Sequence, residues 1–296
     1  MGATSATAAS PARSRPRLLA ASYKAGARVL GAVPAGLRRA AATPGGTAWF
    51  WLSAAQRRAA LDNYATVLGV DRSDPRVGQL AKRAFQNYGR MLMDFLLMGD
   101  LSPDDVNARV SVDGLHHLDE SLSAGRGLIL ALPHMGSWDM AAAFASVQGY
   151  RISAVAERFP GSLDEAVIST RRRLGMEVIP LGRSAVRSIT AALAANRMVA
   201  LLCDLEQGPG VKVRFFGRNA VVPAGPAAFA LKTGAALVPT FVYGIGDGKY
   251  RGHVHQPLTW SAADTKESLT QRIIDCFEEF IKERPDQWYA FRPMFS

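Results

Sequence analysis

A histidine and a carboxylate stand five positions apart in Leu130-Ala131-Leu132-Pro133-His134-Met135-Gly136-Ser137-Trp138-Asp139, the residue types that general-base chemistry on a hydroxyl needs. On one helix a five-residue step turns the two side chains about 140° apart, so they would not share a face. The spacing works if His134 lies on a turn and Asp139 in the first turn of the next helix, where an acid also suits the dipole. The carboxylate can then fold back on the imidazole, fix its tautomer and raise its basicity. Gly136 and Ser137 leave room for a backbone or ligand to come close to that turn.

A second block, Cys203-Asp204-Leu205-Glu206-Gln207-Gly208-Pro209-Gly210, places two carboxylates where a strand ends in a Gly/Pro turn. Asp204 and Glu206 either assist His134 or bind polar ligand groups, or they are solvated loop residues. Arg158, one member of the run Arg171-Arg172-Arg173, and Arg214 can grip phosphate oxygens in two-pronged fashion. His253 and His255 alternate on a strand and read as a solvated face. Neither Cys203 nor Cys276 suggests a disulfide or a metal site, and no nucleophile elbow, Walker loop or His-Glu-x-x-His zinc motif occurs.

The elements that must position these residues follow from the apolar pattern. Gly127-Leu128-Ile129-Leu130-Ala131-Leu132 is a short run closed by Pro133, a buried strand rather than a helix. Strands are expected at 127–132, 151–156, 176–181, 198–203, 236–243 and 249–255. Helices are expected near 137–148, 162–174, 184–196, 223–234 and 265–284. This alternation predicts an α/β fold, a mostly parallel central sheet flanked by helices, and ligands in such sheets gather at the carboxyl ends of the strands. His134 sits at such an end.

The 296 residues, 48% of them hydrophobic, suffice for one large core. No apolar run reaches spanning length, and neither a signal peptide nor a myristoylation signal is evident. The net charge of +10 is concentrated: residues 1–60 hold nine basic and no acidic side chains, leaving +1 for the rest. Leu19, Tyr23, Ala27, Leu30 and Val33 recur at helical spacing among arginines and a lysine, and Trp49-Phe50-Trp51-Leu52 follows. That composition suits helices lying on an anionic membrane surface. No nucleic-acid-binding signature accompanies the basic residues. The expected order is a disordered leader (1–16), an N-terminal helical membrane-associating region (17–100) broken at Pro34 and at Thr43-Pro44-Gly45-Gly46, and an α/β core (101–296). Within the second helical block Val77, Leu80, Ala81, Phe85, Tyr88, Met91, Leu92 and Phe95 keep a helical period and belong to a core.

The sequence Pro133-His134-Met135-Gly136-Ser137-Trp138-Asp139, then Asp204, Phe215-Phe216-Gly217 and Val222-Pro223-Ala224-Gly225-Pro226-Ala227, resembles the bacterial lysophospholipid-type acyltransferases. It is most similar to the branch with lipid A late acyltransferases and phosphatidylinositol mannoside acyltransferases. The resemblance spans roughly 17–296. It includes Asn63 in Leu61-Asp62-Asn63-Tyr64, the tail Arg284-Pro285-Asp286-Gln287-Trp288-Tyr289, and Ser22-Tyr23-Lys24-Ala25-Gly26, which looks nearer the mannoside enzymes. It implies acyl transfer from acyl-CoA or acyl carrier protein to a hydroxyl of a membrane glycolipid, by a peripheral protein on the cytoplasmic face of the plasma membrane. His134 would be the base, Asp139 its orienter and Glu206 an auxiliary carboxylate. Gly136, Arg158, Arg172 and Arg214 would contact substrate, with no metal or further cofactor. Transfer would be direct, the oxyanion held by backbone amides near Gly136 or by an arginine, and the acyl chain would lie in a groove beside the motif. A lipid A type or lysophospholipid acyltransferase, a hydrolase and a noncatalytic lipid-binding protein are the alternatives.

Overall fold

The computed structural model describes residues 29, 32–158, 162–207 and 210–295; the expected leader at 1–16 lies outside them, as does most of the Leu19–Val33 stripe. Seven strands form one sheet: β1 (Val110–Asp113), β2 (Leu128–Leu132), β3 (Ile152–Ala156), β4 (Glu177–Pro180), β5 (Met198–Leu202), β8 (Ala236–Gly246) and β9 (Lys249–Val254). Their order is β1-β9-β8-β2-β5-β3-β4, parallel except for the β8–β9 hairpin. β2 sits centrally between β5 and β8, and all five of its residues are buried. That accounts for its unbroken apolar run, since a parallel strand covered on both faces has no polar side.

The crossover helices segregate by face. Helices α4 (Pro103–Arg109), α5 (His116–Ser123), α6 (Trp138–Val147) and α7 (Ser162–Arg173) pack on Leu128, Leu130, Leu132 and Met198. Helices α8 (Ala185–Ala194), α9 (Gly225–Thr233) and α10 (Lys266–Glu283) pack on Ile129, Ala131, Val199 and Leu201. The alternation of the β2 and β5 side chains between the two clusters is the period-2 geometry of a strand.

The sheet parts at one place. β5 keeps step with β2 to Leu132↔Leu202, but pairs with β3 only as far as Ala154↔Ala200. β3 stays with β4 to Ala156↔Pro180. A gap therefore opens at the carboxyl ends of β3 and β5, between Val155–Ala156 and Leu201–Leu202.

Helices α1 (Ala35–Leu52), α2 (Ala54–Leu68) and α3 (Pro75–Met98) complete the chain, and their Phe50, Tyr64, Leu80 and Phe85 share the buried cluster of α8–α10. The break expected at Pro34 occurs, since α1 begins just after it; the one expected at Thr43-Pro44-Gly45-Gly46 does not, and α1 runs through it. The cause is a close crossing. A Cβ on Gly46 would meet the Phe85 carbonyl at 2.5 Å, and one on Gly89 the Ala42 carbonyl at 3.0 Å, so α1 and α3 touch backbone to backbone. Arg90 donates to Thr43 Oγ1 and Gln86 to Thr47 Oγ1, both at 2.8 Å, which fastens the same turn. Tertiary packing here overrides the intrinsic preference.

Every expected strand and every expected core helix is present. Absent from the expectation were β1, α4, α5 and the hairpin of β6 (Val211–Phe215) and β7 (Arg218–Val222). In the hairpin the two turn residues, Phe216 and Gly217, both have positive φ, 49° and 73°.

Candidate active site

His134 leaves β2 on the turn, as its sequence context predicts, and the turn is held on every side. Its carbonyl accepts from Tyr289 N at 2.8 Å, and Gly136 N donates to the Gln287 carbonyl at 3.0 Å. The tail from Pro285 onward thus lies antiparallel against the histidine turn. Tyr64 donates to the Trp288 carbonyl, while Asn63 donates to the Ala290 and Arg292 carbonyls at 2.8 and 2.7 Å. Burial pushes the Tyr64 and Tyr289 phenols up, so both remain neutral. Gly136 adopts φ 58°, and a Cβ there would collide with the Val242 carbonyl. It is the residue that lets the turn sit on β8, so its fixed place is against backbone.

The carboxylate behind His134 is Asp204, not Asp139. Its Oδ1 lies 2.6 Å from His134 Nδ1, and its Oδ2 accepts from the His134 amide at 3.0 Å and the Trp288 indole at 2.7 Å. Asp204 and Trp288 are fully buried; the His134 side chain retains 16% exposure. Three donors converge on one dry carboxylate, which fixes the ring. With Nδ1 donating to Asp204, Nε2 is left to accept a proton. The pairing follows from the sheet. β2 and β5 are in register at Leu132↔Leu202, the next step is the bond from Cys203 N to the Leu132 carbonyl at 3.0 Å, and one further step on each strand brings His134 beside Asp204. Glu206, taken from sequence as the auxiliary carboxylate, lies two residues on and is exposed.

Asp139 does occupy the first turn of α6, but it faces Arg171 of α7. The guanidinium grips it in fork geometry, Nε to Oδ1 at 2.7 Å and Nη2 to Oδ2 at 3.1 Å, with both side chains nearly buried. Arg171 also lies over the Phe95 ring, 5.6 Å from its centroid. The expected fold-back of Asp139 onto His134 is replaced because Arg171 offers two charge-assisted bonds where the imidazole offers one.

His134 and the Asp139–Arg171 pair line one cavity of about 390 Å³, in the size range of small-molecule sites. Its walls are largely aliphatic and aromatic, with His134, Asp139, Arg171, Thr240 and Gln207 among the polar groups. One arm runs along the α5–α6 face past Leu130, Leu132, Ala142, Phe144 and Met198. Through the gap between β3 and β5 it joins a second arm between α8 and α9, lined by Leu201, Ile189, Pro226 and Phe229.

The other sequence candidates lie elsewhere. Among the described residues Arg171, rather than Arg158, Arg172 or Arg214, is the arginine of the cavity wall. Arg158 is exposed beyond β3, and Arg172 lies on the outer side of α7 with Glu165 and Arg173. Arg214 braces the β6–β7 hairpin through Asn219 and the Gly217 carbonyl. The amides nearest the histidine are taken: His134 N by Asp204, Met135 N by the Pro133 carbonyl at 2.7 Å, and Gly136 N by Gln287. They are not available to an oxyanion. Cys203, beside Asp204, is buried, and burial followed by the carboxylate pushes its thiol well up, so it is a packing residue and no nucleophile. Sequence reasoning missed Trp288 as a site residue; as a fully buried tryptophan it needs an acceptor for its N–H, and Asp204 supplies one.

Residues 9–296 match the bacterial lipid A biosynthesis acyltransferase family. A phosphatidylinositol mannoside acyltransferase of Mycobacterium tuberculosis is 34% identical over 243 residues, covering 79% of this chain and 75% of that protein. One of Mycolicibacterium smegmatis is 34% identical over 239 residues, 79% of this chain and 77% of its own length. A lipid A biosynthesis acyltransferase of Haemophilus influenzae is 24% identical over 179 residues, 59% of this chain and 55% of its length. The chain belongs to the bacterial lipid A biosynthesis acyltransferase family.

Proposed function

We propose that this protein transfers a fatty acyl group from a thioester donor, acyl-CoA or acyl carrier protein, to a hydroxyl of a membrane glycolipid of the phosphatidylinositol mannoside kind. The observation that carries the reading is the His134–Asp204–Trp288 constellation, whose histidine lines an apolar cavity. His134 Nε2 takes the acceptor proton as the hydroxyl oxygen attacks the thioester carbon. The tetrahedral adduct collapses with loss of the C–S bond, and the imidazolium returns its proton to the departing thiolate. Asp204 stabilises the imidazolium in between, in the manner of the third member of a hydrolase triad. The Asp139–Arg171 pair braces the cavity wall beside this chemistry.

The donor chain lies in the arm along α6, where each buried methylene contributes about 0.8 kcal/mol. A peripheral membrane setting is supported by α1, which exposes Leu37, Trp51 and Leu52, the last at 84%, with no acidic residue before Asp62. Of the four consecutive apolar residues there, Phe50 is buried and Trp49 packs on Phe85, so only the second half of the cluster is free for a bilayer. Among the described residues no helix is long and apolar enough to cross a membrane. The test is radiolabelled acyl-CoA incubated with purified protein and lipid extract. Label should enter the mannoside fraction, His134→Ala should abolish it with the fold retained, and label appearing only as free fatty acid would indicate a hydrolase.

A further inference from the structure

The second arm of the cavity, between α8 and α9, ends at a rim unlike the rest of the core. Leu181 and Gly182 on the β4–α8 turn and Val186 in the first turn of α8 line the cavity. Leu181 is nonetheless 47% exposed and Val186 54%, so each presents one side to the arm and one to the outside. Apolar side chains that wall a cavity and face outward are unusual in a structure whose other walls are covered. The charges around them have one sign. Arg183 and Arg187 are exposed beside the two apolar residues and Lys232 is exposed on α9, while no acidic residue occurs from 178 to 203 or from 207 to 246, the stretches that supply α8 and α9. The exposed acid of the cavity wall, Glu157, follows β3 on the opposite side of the gap.

We propose that this rim is a lip that seats in an anionic bilayer, so that Leu181 and Val186 enter the apolar layer and the second arm opens directly to membrane lipid. The occupant follows from the chemistry of the lip. An outward apolar pair flanked by arginines matches the acyl-to-headgroup boundary, where aliphatic side chains replace water contact and guanidinium groups meet lipid phosphates. A lipid chain can then pass sideways between α8 and α9 to the gap at Leu201 and Val155 without crossing water. His134 lies at the end of the strand adjacent to β5, so donor and acceptor reach it from opposite faces of the sheet. This deepens the acyl-transfer reading and rests on it for the identity of the lipid, but not for the seating of the lip.

The experiment uses the full chain with an environment-sensitive fluorophore on Val186→Cys, and on Glu267→Cys at the start of α10 as a control, both in a Cys276→Ser background. With phosphatidylglycerol vesicles the dye at 186 should shift to the blue while that at 267 does not, and phosphatidylcholine vesicles should give little shift. Arg183→Glu/Arg187→Glu should weaken partitioning onto the anionic vesicles by about ten-fold or more, with turnover on detergent-dispersed acceptor unchanged. No shift at 186 while the protein cosediments with vesicles, or failure to cosediment at all, would overturn the lip. A shift at 186 in a protein that transfers no acyl group would keep the lip and remove the catalytic reading.

Discussion

Asp139 and Asp204 are both buried aspartates, Asp139 in the cavity wall and Asp204 behind the histidine that lines it, and they are satisfied by opposite kinds of partner. Asp139 is gripped by a guanidinium, so its charge is already neutralised. Asp204 is held by an imidazole, an indole and a backbone amide, none of them a resident cation. The difference separates a structural carboxylate from one that can respond to a proton. A carboxylate that must stabilise a transient imidazolium has its charge uncommitted until the proton arrives, whereas one locked to arginine has nothing further to give.

The largest effect should come from Asp204→Asn. Oδ2 accepts from two N–H groups, so the amide group of asparagine faces Nδ1, donates to it and stabilises the wrong tautomer. Turnover should fall by ~10³-fold or more with the fold retained, as measured by initial rates beside circular dichroism. A loss smaller than that of Asp139→Asn would reverse the roles assigned to the two residues.

Asp139→Asn takes from the nearly buried Arg171 the carboxylate that grips it in fork geometry, and a buried pair that loses one partner typically costs about 3–5 kcal/mol of stability. Activity should fall with it, yet the pH profile of kcat should keep its shape because His134 and Asp204 are untouched. Asp139→Leu combined with Arg171→Met should recover most of the stability, in denaturant titrations, without recovering the turnover. Apolar replacement at Asp204 has no such rescue, because Trp288 Nε1 and the His134 amide would be stranded at about 1–3 kcal/mol each.

The same two residues mark where sequence reasoning succeeded and where it stopped. The turn at His134, the start of α6 at Asp139 and nearly all strand limits follow from Pro133, from apolar run length and from helical period, all local signals. The partner of His134 depends on which strand lies beside β2, and strands β2 and β5 are separated by three crossovers in the chain. Once the neighbours are known the pairing is immediate, since His134 and Asp204 each lie two residues past the in-register ends Leu132 and Leu202. The hairpin of β6 and β7 was readable in principle: Val211, Val213 and Phe215 are buried in strict alternation with Lys212 and Arg214. Its turn, Phe216-Gly217, lacks the Asn-Gly or Asp-Gly chemistry that usually announces one. Pro44 and Gly46 misled for the opposite reason, because the backbone contact that tolerates them in α1 lies on α3, some forty residues away.

Trp288→Phe tests the tail more gently. It removes one of the donors to Asp204 and leaves the carboxylate with a missing bond in a dry site, at about 1–3 kcal/mol. Stability and turnover should both decline by roughly ten-fold equivalents, with donor KM little changed, since Trp288 does not line the cavity. A change confined to KM would place the indole at the substrate instead of behind the base.

The smallest effect should be one of selectivity. Ala142 faces the arm along α6 and is 7% exposed, so Ala142→Leu fills the volume that the distal part of an acyl chain would take. Each methylene excluded forfeits about 0.8 kcal/mol, close to a four-fold change in kcat/KM between donors that differ by one methylene. Measured across acyl-CoA donors of graded length, the optimum should move to shorter chains while the rate on the shortest donor stays near that of the parent protein. Blocking the opposite arm with Phe229→Trp should leave that length optimum in place, because the α8–α9 face is assigned to the acceptor. If Phe229→Trp moved the donor optimum and Ala142→Leu did not, the two arms would exchange their substrates, while His134 and Asp204 would keep their roles at the end of β2 and β5.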